Sequence, residues 1–279
     1  MRARPMQVIL IGIVLVIAGI AAAQIWRATG FAREIDALNA RIGQGDTAPG
    51  VDLAALPPIV RAFAERNGGT VGAAPVVVAT QQAEMRLAPD QPFFALSATQ
   101  RSGTRQSDFV WHAKGTMMGV VPVEVVDAYV GGAGLLEARL AGAITVAEAR
   151  GAAADRGEAM RFLAELPFNP DAILNAPMLA WRQLDATHVA VSVPVGAGAA
   201  SVVMSFDAAG DVDGIEAAAR PRMVGDSVIE TRWFGRYADY GPVGAYRLPR
   251  RGEVAWDLPE GEFVYWRGGM TSLAPLAGP

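Results

Sequence analysis

The fold is decided by the stretch GEAMRFLAELPFNPDAILNAPMLAWRQLDATHVAVSVPVGAGAASVVMSF, Gly157 to Phe206. It opens on a helical period. Ala159, Phe162, Leu163 and Leu166 recur at i, i+3, i+4 and i+7, which gathers them on one apolar face. Arg161 and Glu165 stand four apart on the other face, a spacing at which opposite charges meet. Pro167 and Pro170 then stop the helix, because proline lacks a donor and clashes with the preceding turn. Beyond them the period becomes two. Val189, Val191 and Val193 alternate with His188, Ala190 and Ser192. Ala200, Val202, Met204 and Phe206 form a second alternating set, and Gly196-Ala197-Gly198 between the two predicts a hairpin turn. A helix feeding antiparallel hairpins predicts a curved sheet wrapped on that helix.

Working outward, the same period-two pattern dominates from Val76 onward. Val77, Ala79, Gln81, Ala83, Met85 and Leu87 share one face, opposite Val78, Thr80, Gln82, Glu84 and Arg86. Strands are predicted over 93–100, 108–117, 122–130, 135–142, 143–149, 212–219, 229–233, 246–248, 253–258 and 262–267. Arg101-Ser102-Gly103 and the glycine-rich Gly131–Gly134 are read as turns. The predicted class is α+β and mostly antiparallel β: a curved sheet or half-barrel packed on one to three short helices. One helix spans Leu56 to Phe63, with Pro57 and Pro58 in its first turn, where proline is tolerated.

The N-terminus has another character. Met6 to Trp26 carries no charge, and 21 helical residues reach about 31 Å, close to the roughly 30 Å of bilayer hydrocarbon. Ala21-Ala22-Ala23 also offers a signal-peptidase site, but the apolar run continues to Trp26, which favours an uncleaved anchor. Phe31, Ile35, Leu38 and Ile42 then make a stripe suited to packing or to a membrane interface. The expected organisation is an anchor or signal segment over 1–27, a juxtamembrane helix and linker over 28–50, and one β-rich domain over 51–274. Arginines follow the apolar segment as well as precede it, so charge does not set orientation. Long downstream domains translocate largely regardless of charge, which places the bulk outside the cytoplasm.

Composition narrows the function. Of 279 residues 52% are hydrophobic, and the formal charge is −4 with a pI near 5.3. That balance argues against nucleic acid as a partner. Lys114 is the only lysine and there is no cysteine, so disulfides, thiolate metal sites and cysteine nucleophiles are excluded. The nucleophile elbow, the Walker A loop and the HExxH zinc motif are missing. Neither a catalytic residue, a metal site nor a cofactor is predicted. His112 and His188 are the only histidines and are read as structural. Asp207–Gly214 hints at a calcium loop, but Ala209 and Arg220 occupy the ligand positions of the matching frame, which leaves a hairpin turn. Arg161, Glu165 and Arg220 are assigned structural polar roles. An envelope hydrolase using Glu165 or a histidine is one alternative, and an assembly module without a small ligand is another. Trp111, Tyr129, Trp181, Trp233 and Trp256 are the candidate ligand-lining residues, since aromatics on a concave sheet suit an apolar molecule or lipid. They also suit ordinary core packing, the heavier of the two readings.

A set of scattered positions carries a resemblance. It comprises Leu56-Pro57 with Val60-Arg61, Phe93–Gln100, Phe109-x-Trp111, Asp127-x-Tyr129 before the glycine turn, and Arg161-x-x-x-Glu165-x-Pro167-x-x-Pro170. Trp181 with Asp185, Phe206-x-x-x-Gly210, Arg220, Trp233, Tyr240, Gly244, Pro249 and Gly252-x-x-x-Trp256 complete it. Together they resemble a bacterial family of unknown function, over about Leu53 to Arg267. Its members carry an N-terminal membrane segment and a β-rich domain similar to the half-barrel of lipoprotein carriers. Pro167-Phe168 departs from the tryptophan expected after the glutamate. The resemblance implies the fold and the compartment, a bacterial inner membrane with the main domain facing the periplasm or cell exterior, and assigns no catalytic residue.

Overall fold

The computed structural model describes residues 4–44, 50–225 and 227–276, with side chains from Leu15 onward. Helix α1 (Arg4–Arg41) is followed by α2 (Pro58–Arg66) and six strands: β1 (Val76–Met85), β2 (Phe94–Gly103), β3 (Phe109–Met117), β4 (Val121–Val130), β5 (Ala133–Leu140) and β6 (Ile144–Arg150). Helix α3 (Ala152–Ala164), a 3-10 turn (Leu166–Phe168) and α4 (Pro170–Asn175) interrupt the strands. Then come β7 (Ala180–Gln183), β8 (His188–Val195), β9 (Gly198–Phe206), β10 (Val212–Val224), β11 (Ser227–Val243), β12 (Tyr246–Leu258) and β13 (Gly261–Pro275). All thirteen strands form one antiparallel sheet in the order β6-β5-β4-β3-β2-β1-β13-β12-β11-β10-β9-β8-β7. Only the β1–β13 pairing joins strands distant in sequence. Every other pair of neighbours is consecutive in the chain, and α3 and α4 connect the two edge strands β6 and β7, so two meanders are zipped together by the last strand. The sheet curls into a half-barrel, the predicted class.

The segment Ala152–Asn175 occupies the concave face. Ala159, Phe162, Leu163 and Leu166 are buried, as their spacing requires, together with Phe168, Ile173 and Leu174. They join one apolar core with Val191, Val202, Met204, Val212 and Leu248 from the sheet. Asn169 caps α4, its side chain accepting from Ala172 N at 3.3 Å. Gly134 lets α3 approach β5: a Cβ there would lie 2.4 Å from the Ala154 carbonyl oxygen. Helix α2 closes one end of the barrel, with Phe63 edge-on to Phe206 and Tyr240 at 6.0 and 6.1 Å.

The convex face carries α1. Phe31, Ile35 and Ile42 are buried against Val76, Val110, Val126, Ala128, Val130 and Leu135, with Leu38 packed beside them. The predicted stripe is therefore a packing face, and α1 continues through it without a break. The predicted linker lies mostly at 45–49, outside the described residues.

The strands outrun the sequence reading where turn chemistry misled it. β2 continues through Arg101 and Ser102 to Gly103, because β1 pairs with it along that whole length. Pro249 suggested a break inside β12. The β12–β13 ladder begins only at Gly252, however, so at Pro249 there is no ladder on that side to interrupt. The four-residue β7, too short to show a period, was not predicted.

Candidate functional site: the plugged concave face

Helix α3 presents a second stripe to the sheet. Glu158, Arg161 and Glu165 follow one another at i, i+3 and i+7, and all three reach inward. Arg161 forms an ion pair with Asp127 of β4 through its Nη1 and donates from Nε to Glu165 Oε1 at 2.9 Å. Its guanidinium lies over the rings of Trp111 at 4.9 Å and Phe109 at 5.1 Å. Glu165 Oε2 accepts from Gln100 Nε2 at 2.5 Å. Gln100 Oε1 accepts from Gln81 Nε2 at 3.3 Å, and Gln81 Oε1 accepts from the Trp111 indole at 2.8 Å. On the opposite wall Arg220 of β10 donates to the Gly157 carbonyl at 3.1 Å and to Glu158 Oε1 at 3.3 Å. Arg220 stacks over Trp233 at 4.4 Å and Trp256 at 5.5 Å. A continuous polar belt thus crosses the apolar interior and fastens α3 to both walls.

The belt meets at a carboxyl pair. Asp127 Oδ1 and Glu158 Oε2 are buried and accept from no other donor. Burial, and next the charge of Asp127, push the Glu158 carboxyl well above its ordinary range, while Arg220 pulls the other way. Burial works against the charge on Arg161, but Asp127, Glu165 and Glu158 outweigh it and raise its pKa. This arrangement supplies neither an exposed nucleophile nor an accessible base. Its chemistry is that of a clasp.

The candidate aromatic residues fall in different places. Trp111, Tyr129 and Trp233 are fully buried, whereas Trp256 and Trp181 are half-buried. Trp233 and Trp256 come together at 6.5 Å, and the Trp233 indole donates to Tyr265 OH at 3.1 Å. Trp181 lies on β7, the edge strand. Inside the barrel one cavity of about 10 Å³ opens beside Gln100, Phe162 and Glu165, room for about one water. A cleft of about 570 Å³ lies open to solvent beside Arg41, Asp108, Tyr129, Gly131 and Met178. His112 pairs with Glu124 at 2.8 Å, and exposed His188 with Asp185 at 3.0 Å. Asp211, in the loop that hinted at calcium, is claimed by Arg66 and Arg247 at 2.7 and 2.6 Å. Among the described residues no group of three or more His, Asp or Glu is placed to hold a metal.

Sequence reasoning assigned Arg161, Glu165 and Arg220 structural roles but expected Arg161 and Glu165 on the helix's other face. It missed Asp127 and Glu158. Two signals pointed to them: a lone charge in the apolar run Val125–Val130, and the inward spacing of Glu158 with Arg161 and Glu165.

The chain belongs to DUF6544, a family of unknown function whose model matches residues 48–268. No curated protein matches it in sequence. Among solved structures it is similar to a LolA superfamily protein from Nitrosomonas europaea, at 10% identity and a TM-score of 0.42, over 79% of this chain and 94% of that one. It is likewise similar to a DUF1329 family protein from Desulfovibrio piger, at 7% identity and a TM-score of 0.42, over 79% of this chain and 92% of that one. Among the described residues one helix, near the N-terminus, is long and apolar enough to cross a membrane, the property of an anchor or a signal sequence.

Proposed function

We propose that this protein is a single-pass, membrane-tethered module on the outer side of a bacterial inner membrane, whose half-barrel takes up a lipid or other apolar ligand. The site is the concave face now filled by Ala152–Asn175, and ligand and plug compete for it. What supports the reading above all is how the plug is held. Arg161–Asp127 and Glu158–Arg220 clip α3 to opposite walls. Buried ion pairs return little net stability, because desolvation offsets their attraction. A plug resting on such a seam separates from its walls at lower cost than one seated on apolar contacts alone, and it leaves behind a largely apolar trough that carries Asp127, Gln100 and Arg220 on its walls. The tether supports the same reading, since it holds the trough beside a lipid reservoir.

Native mass spectrometry of the full chain, released from a mild detergent after purification from membranes, tests the proposal. One lipid-sized adduct per chain is the expected result. A chain that stays free of adducts across detergents, with or without added phospholipid, contradicts it.

A second reading, an assembly module without a small ligand, draws on one observation. The outer end of the β10–β11 hairpin exposes Met223, Val224, Val228 and Ile229 together. Substituting Val228 and Ile229 with serine disperses a complex under that reading and leaves ligand uptake unchanged under the first.

A further inference from the structure

We propose that the tip of the β3–β4 hairpin is inserted in the bilayer that α1 enters, so that the domain is seated on the membrane by its own sheet as well as by its helix. The inference deepens the tethered reading and rests on α1 being a membrane span.

Helix α1 fixes the direction. Arg41 reaches Gly131 at the β4–β5 turn. Glu34 pairs with Arg150 at 3.0 Å, Phe31 lies under Arg139 at 4.1 Å, and the Arg27 carbonyl accepts from Arg139 at 3.5 Å. Read backwards, α1 therefore climbs beside β4 and β5 towards the β5–β6 turn, where a Cβ at Gly142 would lie 3.4 Å from Ala28. Above Ala28 the helix leaves the protein. Leu15, Val16, Ile17, Ile20, Ile25 and Trp26 are all exposed, Trp26 by 75%. The β3–β4 hairpin runs out beside it. Glu124, which a Gly142 Cβ would meet at 2.9 Å, marks the same level. Gly119 is five residues further on, about 16 Å at the rise of a strand.

The composition of that tip does not suit water. Met118 and Val120 are 88% and 79% exposed. Met118 also holds a left-handed backbone, φ 51°, followed by Gly119 at 74°. These are the two central positions of the turn closed by Val120 N donating to Met117 O at 3.2 Å, where asparagine, aspartate or glycine normally stands first when both are left-handed. The β5–β6 turn repeats the substitution: Ala141 at 49° precedes Gly142 at 66°, and Ile144 is exposed just beyond. Among the described residues only Met118, Ala141 and Asp239 have positive φ without being glycine. Two of the three thus lie at the turns that flank the departure of α1. Each keeps an apolar side chain where a polar one would relieve strain and solvate the tip. A bilayer reverses that preference. Lys114, 68% exposed along its side chain, lies below the tip on β3 and suits the headgroup level.

The chain contains no cysteine, so single labels are unambiguous. Met118→Cys, Val120→Cys, Ile25→Cys and, as an exposed apolar control, Leu184→Cys are made in the full chain. Each carries an environment-sensitive fluorophore and is reconstituted in phosphatidylcholine vesicles with or without brominated acyl chains. The expected result is strong quenching by bromine at 25, 118 and 120 and none at 184. Quenching at 25 without quenching at 118 and 120 overturns the seated hairpin and leaves the tether intact. Loss of quenching at 25 as well overturns both. Met118→Asn, which suits the left-handed turn, is expected to leave the melting temperature in detergent no lower while weakening quenching of a label at position 120. Unchanged quenching there contradicts the proposal.

Discussion

Folding raises the proton affinity of the Glu158 carboxyl, through burial first and the charge of Asp127 next. The unfolded chain releases the proton above an ordinary value of about 4.3, whereas burial and Asp127 hold it in the folded chain to higher pH. The folded state therefore binds more protons across that window. This contribution to stability is full below the ordinary value and declines as pH rises towards the raised one. Glu158→Gln keeps the shape and hydrogen-bonding reach without the titration. Its melting temperature should change less than that of the parent between about pH 5 and pH 8, and should equal or exceed the parent's at the upper end. Parallel curves for the two proteins would show that Glu158 is ionised in both states. Arg161 is the converse case. Arg161→Ala leaves Asp127 and Glu165 facing each other in the interior without their cation. Urea denaturation should show a loss of about 3–5 kcal/mol, the usual cost of removing one partner of a buried pair. A loss below about 1 kcal/mol, the range of exposed pairs, would mean that water already reaches the belt.

At the scale of elements, α3 can be moved without touching the belt. A side chain at Gly134 meets the Ala154 carbonyl and the Asp155 amide, both backbone atoms that cannot swing away. Gly134→Val should lift the start of α3 from β5. Amide exchange should then rise across Ala152–Asn175 while β12 and β13 stay protected. Uniform loss of protection would show instead that plug and sheet unfold as one unit. The same element shows how far the sequence could be read. The apolar period of Ala159, Phe162, Leu163 and Leu166 and the alternation of Val189–Val193 are strong signals, because each has a single geometric solution that buries its set. They place a helix against an antiparallel sheet, and both are found. The polar stripe Glu158–Arg161–Glu165 was legible as spacing but not as orientation. A charged stripe ordinarily faces water, and only partners distant in sequence, Asp127, Gln100 and Arg220, turn it inward. Trp111 illustrates the same limit. Its burial was foreseeable from its type, whereas its bond to Gln81 depends on a register set by two intervening strand pairs.

At the scale of the whole molecule, the half-barrel has one apolar helix on its convex side and an apolar trough, now closed, on its concave side. The interior cavity beside Gln100, Phe162 and Glu165 offers about 10 Å³, so nothing lipid-sized enters it without displacing α3 and α4. Under the proposed function, uptake registers as motion of the plug. Hydrogen–deuterium exchange of the full chain in a mild non-lipid detergent, with and without added long-chain phospholipid, tests this most directly. The account predicts faster exchange confined to Ala152–Asn175 when lipid is supplied, with β1, β12 and β13 unchanged. Exchange across Ala152–Asn175 that stays the same, or slows, when lipid is added would contradict it.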